Sequence, residues 1–432
     1  MSGGRMRRIT TRRAGALAAG VLAVTLALSG CAGGAVAAPD FTPKPQAQGS
    51  LPSELTDQLK AAVEHAMAVS GSSGAIVGVW APWSGSWTAG LGTVSATDKA
   101  PVKTDMSFRI GDVTRLMTCD VLYALADRGK VELDAKISDY VSGVPDLQDV
   151  TLLDLCNGTG GIGSSEPTAL SAWLTNPDRV WEPKELASYG LGQNRTPAHA
   201  AYRDSDAGYL LLGLALERVT GQTASQLIRE YVTAPLSLST TSLPGVTAAA
   251  PTPTPALHGS YLPQENGAYQ CDKPADVTVA SSSMGYTDSG VTSTIDDLGR
   301  YAQAEAAQAL RTKDKPARFG SPLAIADGAP SWYQTAGGAR LVGPLIGQHG
   351  MTAGYLTAAY SDPKTGFTVA VVLNDSSAGP AMVGDLAFQL AAIASKAPPA
   401  KGQKSPEFGL PFVADAYAKA VDADAICHPA QG

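Results

Sequence analysis

Apolar residues recur at helical spacing across 56–70 (TDQLKAAVEHAMAVS), with Thr56 as a possible cap, and this predicts a helix. Two short apolar runs follow at 74–81 (GAIVGVWA) and 86–91 (SWTAGL), separated by PWSG, and read as a strand pair. Near the other end, 355–361 (YLTAAYS) and 367–373 (FTVAVVL) flank DPKTG, a second hairpin signal, ahead of a helix at about 381–395. One sheet can gather these early and late strands, which leaves the middle as a second lobe. That middle is helical in character, with support for helices at 113–128, 150–156, 206–220, 223–233 and 296–310. The run 244–263 (PGVTAAAPTPTPALHGSYLP) holds little that can pack and is read as an irregular lobe edge. Beyond Pro398 the chain is rich in Pro, Gly and Lys before turning amphipathic at about 409–422.

The first thirty residues break this pattern. Arg5, Arg7, Arg8, Arg12 and Arg13 precede an apolar run from Ala14 to Leu28, too short for a comfortable membrane span, which ends in Leu28, Ser29, Gly30 and Cys31. The arrangement resembles a bacterial lipoprotein signal, whose cleavage leaves a lipid-bearing cysteine at the new N-terminus. An ordinary secretory cut after Ala37 or Ala38 is the alternative. The expectation is a signal peptide at 1–30, lipid on Cys31 and a flexible tether at 31–53, holding the protein on the extracytoplasmic face of the cell membrane. Of the 432 residues, 44% are hydrophobic and 16% charged, which suits a packed body with many turns and excludes wholesale disorder. Without the leader, 27 basic side chains face 39 acidic ones, a charge near −12, so nucleic acid is not an expected partner. Cys119, Cys156, Cys271 and Cys427 remain, an even number in an oxidising compartment, and two disulfides are the economical reading among three possible connectivities. Cys427 lies beyond the amphipathic tail, and a bond to Cys271 would tie that tail to the body.

The segment Phe108 to Val141 (FRIGDVTRLMTCDVLYALADRGKVELDAKISDYV) resembles the catalytic opening of the serine beta-lactamase and penicillin-binding family. The likeness is to the branch of class C lactamases, D-alanyl-D-alanine carboxypeptidases and related esterases. Gly129, Lys130, Leu133 and Asp134 match the turn after the nucleophile helix. Three further passages agree in order: VTLLDLCNGTGGI (150–162), DSDAGYLLLGLALERVTG (204–221) and QHGMTAGY (348–355). The resemblance covers about 56–396. It implies an α/β plus all-α fold, with an antiparallel sheet flanked by terminal helices and a mainly helical second lobe. The sheet lobe would take 54–110 and 330–396, the helical lobe 111–329, and 397–432 would be a C-terminal extension. It also makes the helices bearing Cys119 and Cys156 neighbours, so that these two cysteines would pair.

The family's chemistry needs a serine with a lysine three residues later on the same helical face, to take its proton as it attacks a carbonyl. A Tyr-x-Asn motif and a Lys-Thr-Gly or His-x-Gly strand complete the site. Here Asp112 stands at the serine position and Arg115 at the lysine position. Aspartate has no hydroxyl to acylate, and arginine stays protonated. Asp204 and Asp206 replace the tyrosine and asparagine around a retained Ser205, and the third motif reads Gln348, His349, Gly350.

The resemblance therefore implies a catalytically inactive, lipid-anchored relative that binds a peptidoglycan fragment or an envelope protein through this degenerate cleft. Asp112 and Arg115 would form an i,i+3 ion pair. If Asp204 and Asp206 converge with Asp112, the pocket would be acidic and suited to an amine, a cation or a polar cell-wall fragment. His349, in the third motif, is the histidine best placed to meet a ligand. The alternative is an envelope hydrolase, either carboxylate-dependent or using Ser107, Ser205 or another cleft serine. No HExxH, phosphate loop, dinucleotide fingerprint or CxxC pair is present, so no cofactor is expected; a metal is not expected either, because Arg115 would oppose the cation.

Overall fold

The computed structural model describes residues 41–144, 146–313 and 316–428. The leader and Cys31 therefore lie outside the described residues. Eight strands form one antiparallel sheet: β1 (Gly74–Ala81), β2 (Gly85–Gly92), β3 (Leu323–Ala324), β4 (Tyr333–Ala336), β5 (Ala339–Val342), β6 (Leu345–Thr352), β7 (Tyr355–Ser361) and β8 (Thr368–Leu373). Their spatial order is β2-β1-β8-β7-β6-β5-β4-β3, so the first hairpin and the last strands meet in mid-sheet, where Val77 pairs with Val371. The central strands read as continuous apolar runs because both faces are covered. Ala75, Val77 and Val79 pack with α1 (Ser53–Ser70) and α10 (Pro380–Ala394), whereas Ile76, Ala370 and Val372 join the core of the helical lobe. The expected α/β plus all-α architecture is the one found.

The helical lobe contains α2 (Val113–Asp127), α3 (Leu152–Asn157), α4 (Glu166–Thr175), α5 (Pro183–Leu191), α6 (Asp206–Thr220), α7 (Ala224–Ile228), α8 (Tyr286–Ser289) and α9 (Ile295–Ala306). A capping box starts α3, Thr151 and Asp154 each satisfying the other's backbone amide. The irregular run from 244 is held by buried Arg109, whose Nη2 donates to the carbonyls of Ala249, Thr278 and Ala280. Helix α1 begins at Ser53, so Thr56 sits inside its first turn and bonds back to the Ser53 carbonyl at 2.9 Å rather than capping it.

Both ends of the described chain are bound to this body. Residues 41–52, expected as tether, are docked: Ala47 N–H donates to the Pro82 carbonyl at 2.8 Å, Leu51 is buried, and the Arg300 guanidinium lies over the Phe41 ring. At the other end, α11 (Ala414–Ala423) packs on α10, with Phe412 and Tyr417 against Phe388. The Cys271–Cys427 disulfide then ties the tail down, and Cys119–Cys156 joins α2 to α3, both in the expected pairing.

Candidate functional site

Asp112 occupies the position just before α2 and makes no capping bond; its carboxylate turns toward Arg115, with Oδ2 3.4 Å from Nη1. The expected i,i+3 pair is thus present, in a larger arrangement. Arg115 is only 3% exposed, and its guanidinium also meets Asp204 (Nη1 to Oδ1, 2.8 Å) and Asp288 of α8 (Nε to Oδ1, 2.7 Å), above the ring of Tyr209. Gly350 of β6 completes the packing. A Cβ there would fall 2.1 Å from the Asp112 carboxyl, so the glycine is what lets the helix end meet the sheet.

Asp204 differs from the other two carboxylates in being 47% exposed. It also approaches Arg340 of β5, at 3.6 Å, and so links the helical lobe to the sheet edge. Arg340 is positioned in turn by Gln348 (Nε to Oε1, 2.8 Å) and by the Tyr333 hydroxyl (3.1 Å). Gln348 further donates to the Gly338 carbonyl at 3.0 Å, which makes it a brace between edge strands.

Two expectations need correction. His349 does not face the cleft. Side chains alternate along β6, so with Gln348 and Gly350 on the cleft side His349 points to the opposite face, where Nδ1 meets the Tyr360 hydroxyl at 2.6 Å and the ring fills the space left by Gly384. Burial, reinforced by Arg340 and Arg115, holds its pKa well below the usual histidine value. Nor do Asp112, Asp204 and Asp206 form one acidic pocket. Asp206 Oδ1 accepts from the Ser164 hydroxyl and the Ser165 amide, each at 2.6 Å, and Asp288 takes the third place around Arg115.

The serines weighed as replacement nucleophiles are committed elsewhere or sealed. Ser205 caps α6 by accepting from Gly208 N–H at 3.1 Å while donating to the Gly163 carbonyl at 2.9 Å. Ser107 is fully buried.

Three carboxylates around one guanidinium do not ionise equally. Burial drives Asp112 well above the usual carboxylate range against the pull of Arg115, and likewise raises Asp288 to about 6. For Asp204, partial desolvation pushes upward, but Arg115 and Arg340 outweigh it and hold the half-open carboxyl below its ordinary value. Glu166, beside Asp206, is raised to about 7 by burial, with Asp206 and then Asp288 adding to the effect. Charge therefore stays on the open carboxylate, and the enclosed ones bind protons more readily. Asp288, Arg340 and Glu166 were not anticipated from sequence, since no motif marks the stretch around Asp288 and Arg340 lies in a four-residue strand.

A sheet between terminal helices and a helical lobe, with a buried helix N-terminus meeting an inner strand where they join, is the fold shared by beta-lactamases and penicillin-binding proteins. The chain belongs to the beta-lactamase family: the family model "Beta-lactamase" matches residues 59–393. The D-alanyl-D-alanine-carboxypeptidase/endopeptidase AmpH of Escherichia coli K12 is 29% identical over 208 residues, 46% of this chain and 49% of that protein. The chain thus spans about half the length of the curated relatives it matches first. Among solved structures, a D-stereospecific amidohydrolase from Streptomyces sp. superposes with a TM-score of 0.65 at 22% identity, covering 74% of this chain and 94% of that one. A penicillin-binding protein homologue from Pyrococcus abyssi gives 0.65 at 19%, covering 83% and 80%.

Proposed function

We propose that this protein is a non-acylating member of the class C lactamase and D-alanyl-D-alanine carboxypeptidase branch, held at the cell envelope by lipid on Cys31, and that it binds a ligand without turning it over. The observation that carries the reading is the state of Arg115. Serine acylation in this scaffold requires a hydroxyl beside a group able to accept its proton. Here a carboxylate stands in the hydroxyl's place, and the neighbouring cation is locked by Asp112, Asp204 and Asp288. The likeness to AmpH, named as a D-alanyl-D-alanine carboxypeptidase/endopeptidase, favours a peptidoglycan fragment as the ligand, with an envelope protein as the other candidate.

The test is exposure of the full chain to a labelled penicillin, followed by intact mass measurement. No adduct is expected on the parent or on Asp112→Ser, because Arg115 remains a cation. A stoichiometric adduct on any cleft serine of the parent would sink the reading. Hydrolysis of muropeptides by the parent that is lost in Asp204→Ala would instead favour a carboxylate-dependent hydrolase.

A further inference from the structure

We infer that the open cavity at the C-terminal end of α7 takes the phosphate of a phospholipid headgroup, with the Arg229 guanidinium and the hydroxyls of Thr233 and Ser237 as donors, so that the helical lobe meets the bilayer through this face. The inference rests on the reading above that lipid on Cys31 holds the chain at the envelope. None of the residues lining the cavity belongs to the Arg115 cluster.

Local backbone builds the cavity, whose volume is about 420 Å³. After α7 the chain passes through a wider π-type turn at Arg229–Thr233 and then stops on Ser237, at a left-handed φ of 56°. Leu238 N–H bonds to the Thr233 carbonyl at 2.9 Å and Ser237 N–H to the Ala234 carbonyl at 3.1 Å, the pairing of a Schellman closure. Glycine is the usual residue at its left-handed position, because a Cβ is unfavourable there. Serine stands where glycine would cost less, and its hydroxyl lines the cavity.

The lining has an anion's chemistry. Of nine residues, six carry hydroxyls, Arg229 carries the one charge and none is acidic, although Asp and Glu outnumber Lys and Arg by 39 to 32 in the chain. The Ser225 hydroxyl donates to the Leu243 carbonyl at 2.8 Å and that of Thr241 to Asp297 at 3.1 Å. Thr233 is only 5% exposed, and its hydroxyl has no hydrogen-bond partner among the described residues, which is unfavourable for an enclosed polar group. Arg229 likewise makes no ion pair among them, and the nearby acids are engaged elsewhere. Glu230 accepts from Gln222 at 2.6 Å, and Asp297 Oδ2 accepts from the Thr240 amide at 2.7 Å and hydroxyl at 2.6 Å. A free guanidinium fork with hydroxyl donors suits a tetrahedral oxyanion. No aromatic ring lines the cavity for a sugar to stack on.

The source of the phosphate follows from where the chain enters the fold. Arg300 of α9 donates through Nε to the Leu236 carbonyl at 2.7 Å and through Nη2 to the Phe41 carbonyl at 3.2 Å. Phe41 is thereby fixed beside the 234–238 loop that walls the cavity. It lies ten positions from Cys31, a stretch that spans at most about 35 Å when fully extended. Lipid on Cys31 therefore keeps headgroups within reach of this wall, at a local concentration that lets a site with a single cation fill.

Hydrogen exchange read by mass spectrometry tests this on the lipidated full chain in vesicles of phosphatidylglycerol or of digalactosyldiacylglycerol, an uncharged lipid without phosphate. Amides of 229–243 should exchange several-fold more slowly on phosphatidylglycerol. Arg229→Gln should abolish the slowing. Ser237→Gly, which relieves the left-handed serine and keeps the loop closed, should reduce it without lowering the urea midpoint. No slowing on phosphatidylglycerol, equal slowing on both lipids, or slowing that survives in folded Arg229→Gln overturns the inference. Equal slowing on the galactolipid once inorganic phosphate is dissolved around it overturns it too, since the ligand would then be free phosphate. Intact mass keeps the two readings apart. A lipidated chain without slowing removes this inference alone, a penicillin adduct on a chain that shows slowing removes only the non-acylating reading, and a chain without lipid removes the anchor and this inference together.

Discussion

Helix α2 carries one buried arginine, Arg115, and is met by a second, Arg318; the two share a chemistry and differ in access. Arg318 reaches α2 from the segment after α9. It donates to Asp120 and to Glu305 Oε2 (3.0 Å), and to the carbonyls of Leu116 (3.0 Å) and Gly337 (2.9 Å), while the Tyr301 hydroxyl donates to Asp120 at 2.7 Å. Arg318, Asp120 and Glu305 are all shut from solvent. The Arg115 cluster holds three carboxylates where Arg318 holds two, and one of the three, Asp204, opens to water. A sealed ion cluster is a structural knot, because any partner removed leaves a charge that cannot rehydrate. A cluster with one wet arm can exchange a proton or a partner at modest cost.

The sharpest way to break this comparison is to remove each cation in turn. Arg318→Met should destabilise the protein by about 3–5 kcal/mol in chemical denaturation at pH 7, since Asp120 and Glu305 are left buried without their cation. Arg115→Met should cost less, about 1–3 kcal/mol, because Asp204 rehydrates and Asp112 and Asp288 can take up protons. Equal losses from the two substitutions would show that the open arm makes no difference.

The smallest effect concerns pH. Glu166 and Asp288 hold their protons more tightly folded than unfolded, so their contribution to stability is complete below the ordinary carboxylate range and fades as pH rises through about 6 for Asp288 and about 7 for Glu166. Glu166→Gln should therefore flatten the loss of stability between pH 5 and 8, by about 1 kcal/mol, since the group is only partly exposed and solvent screens part of the effect. Urea midpoints across that range read it directly. A variant whose midpoints fall as steeply as the parent's would place the proton uptake on another group.

Much of the scaffold was legible beforehand because it is written in local pattern. The strand pairs at both chain ends, the helices at 113–127 and 206–220, and both disulfides follow from apolar spacing, cysteine placement and ordered motif likeness. The edge strands β3 to β5 were harder, being two to four residues long with Gln, Thr and Arg among them, too short for alternation to register. His349 shows another limit. A motif places a residue on a strand, yet one step of parity decides which face it serves, and only the pairing of β6 with β7 settles that.

What the sequence determined by itself was the family scaffold and the presence of Asp112 and Arg115 at the start of the α2 segment, since those depend on residue identity within a local pattern. The tertiary structure alone decided that Arg115 is shared with Asp288, 173 residues away, that Arg340 reaches Asp204 from the sheet edge, and that Asp206 turns aside to Ser164. Such partnerships depend on distance and burial after the chain has closed on itself, and no periodicity along the chain encodes them.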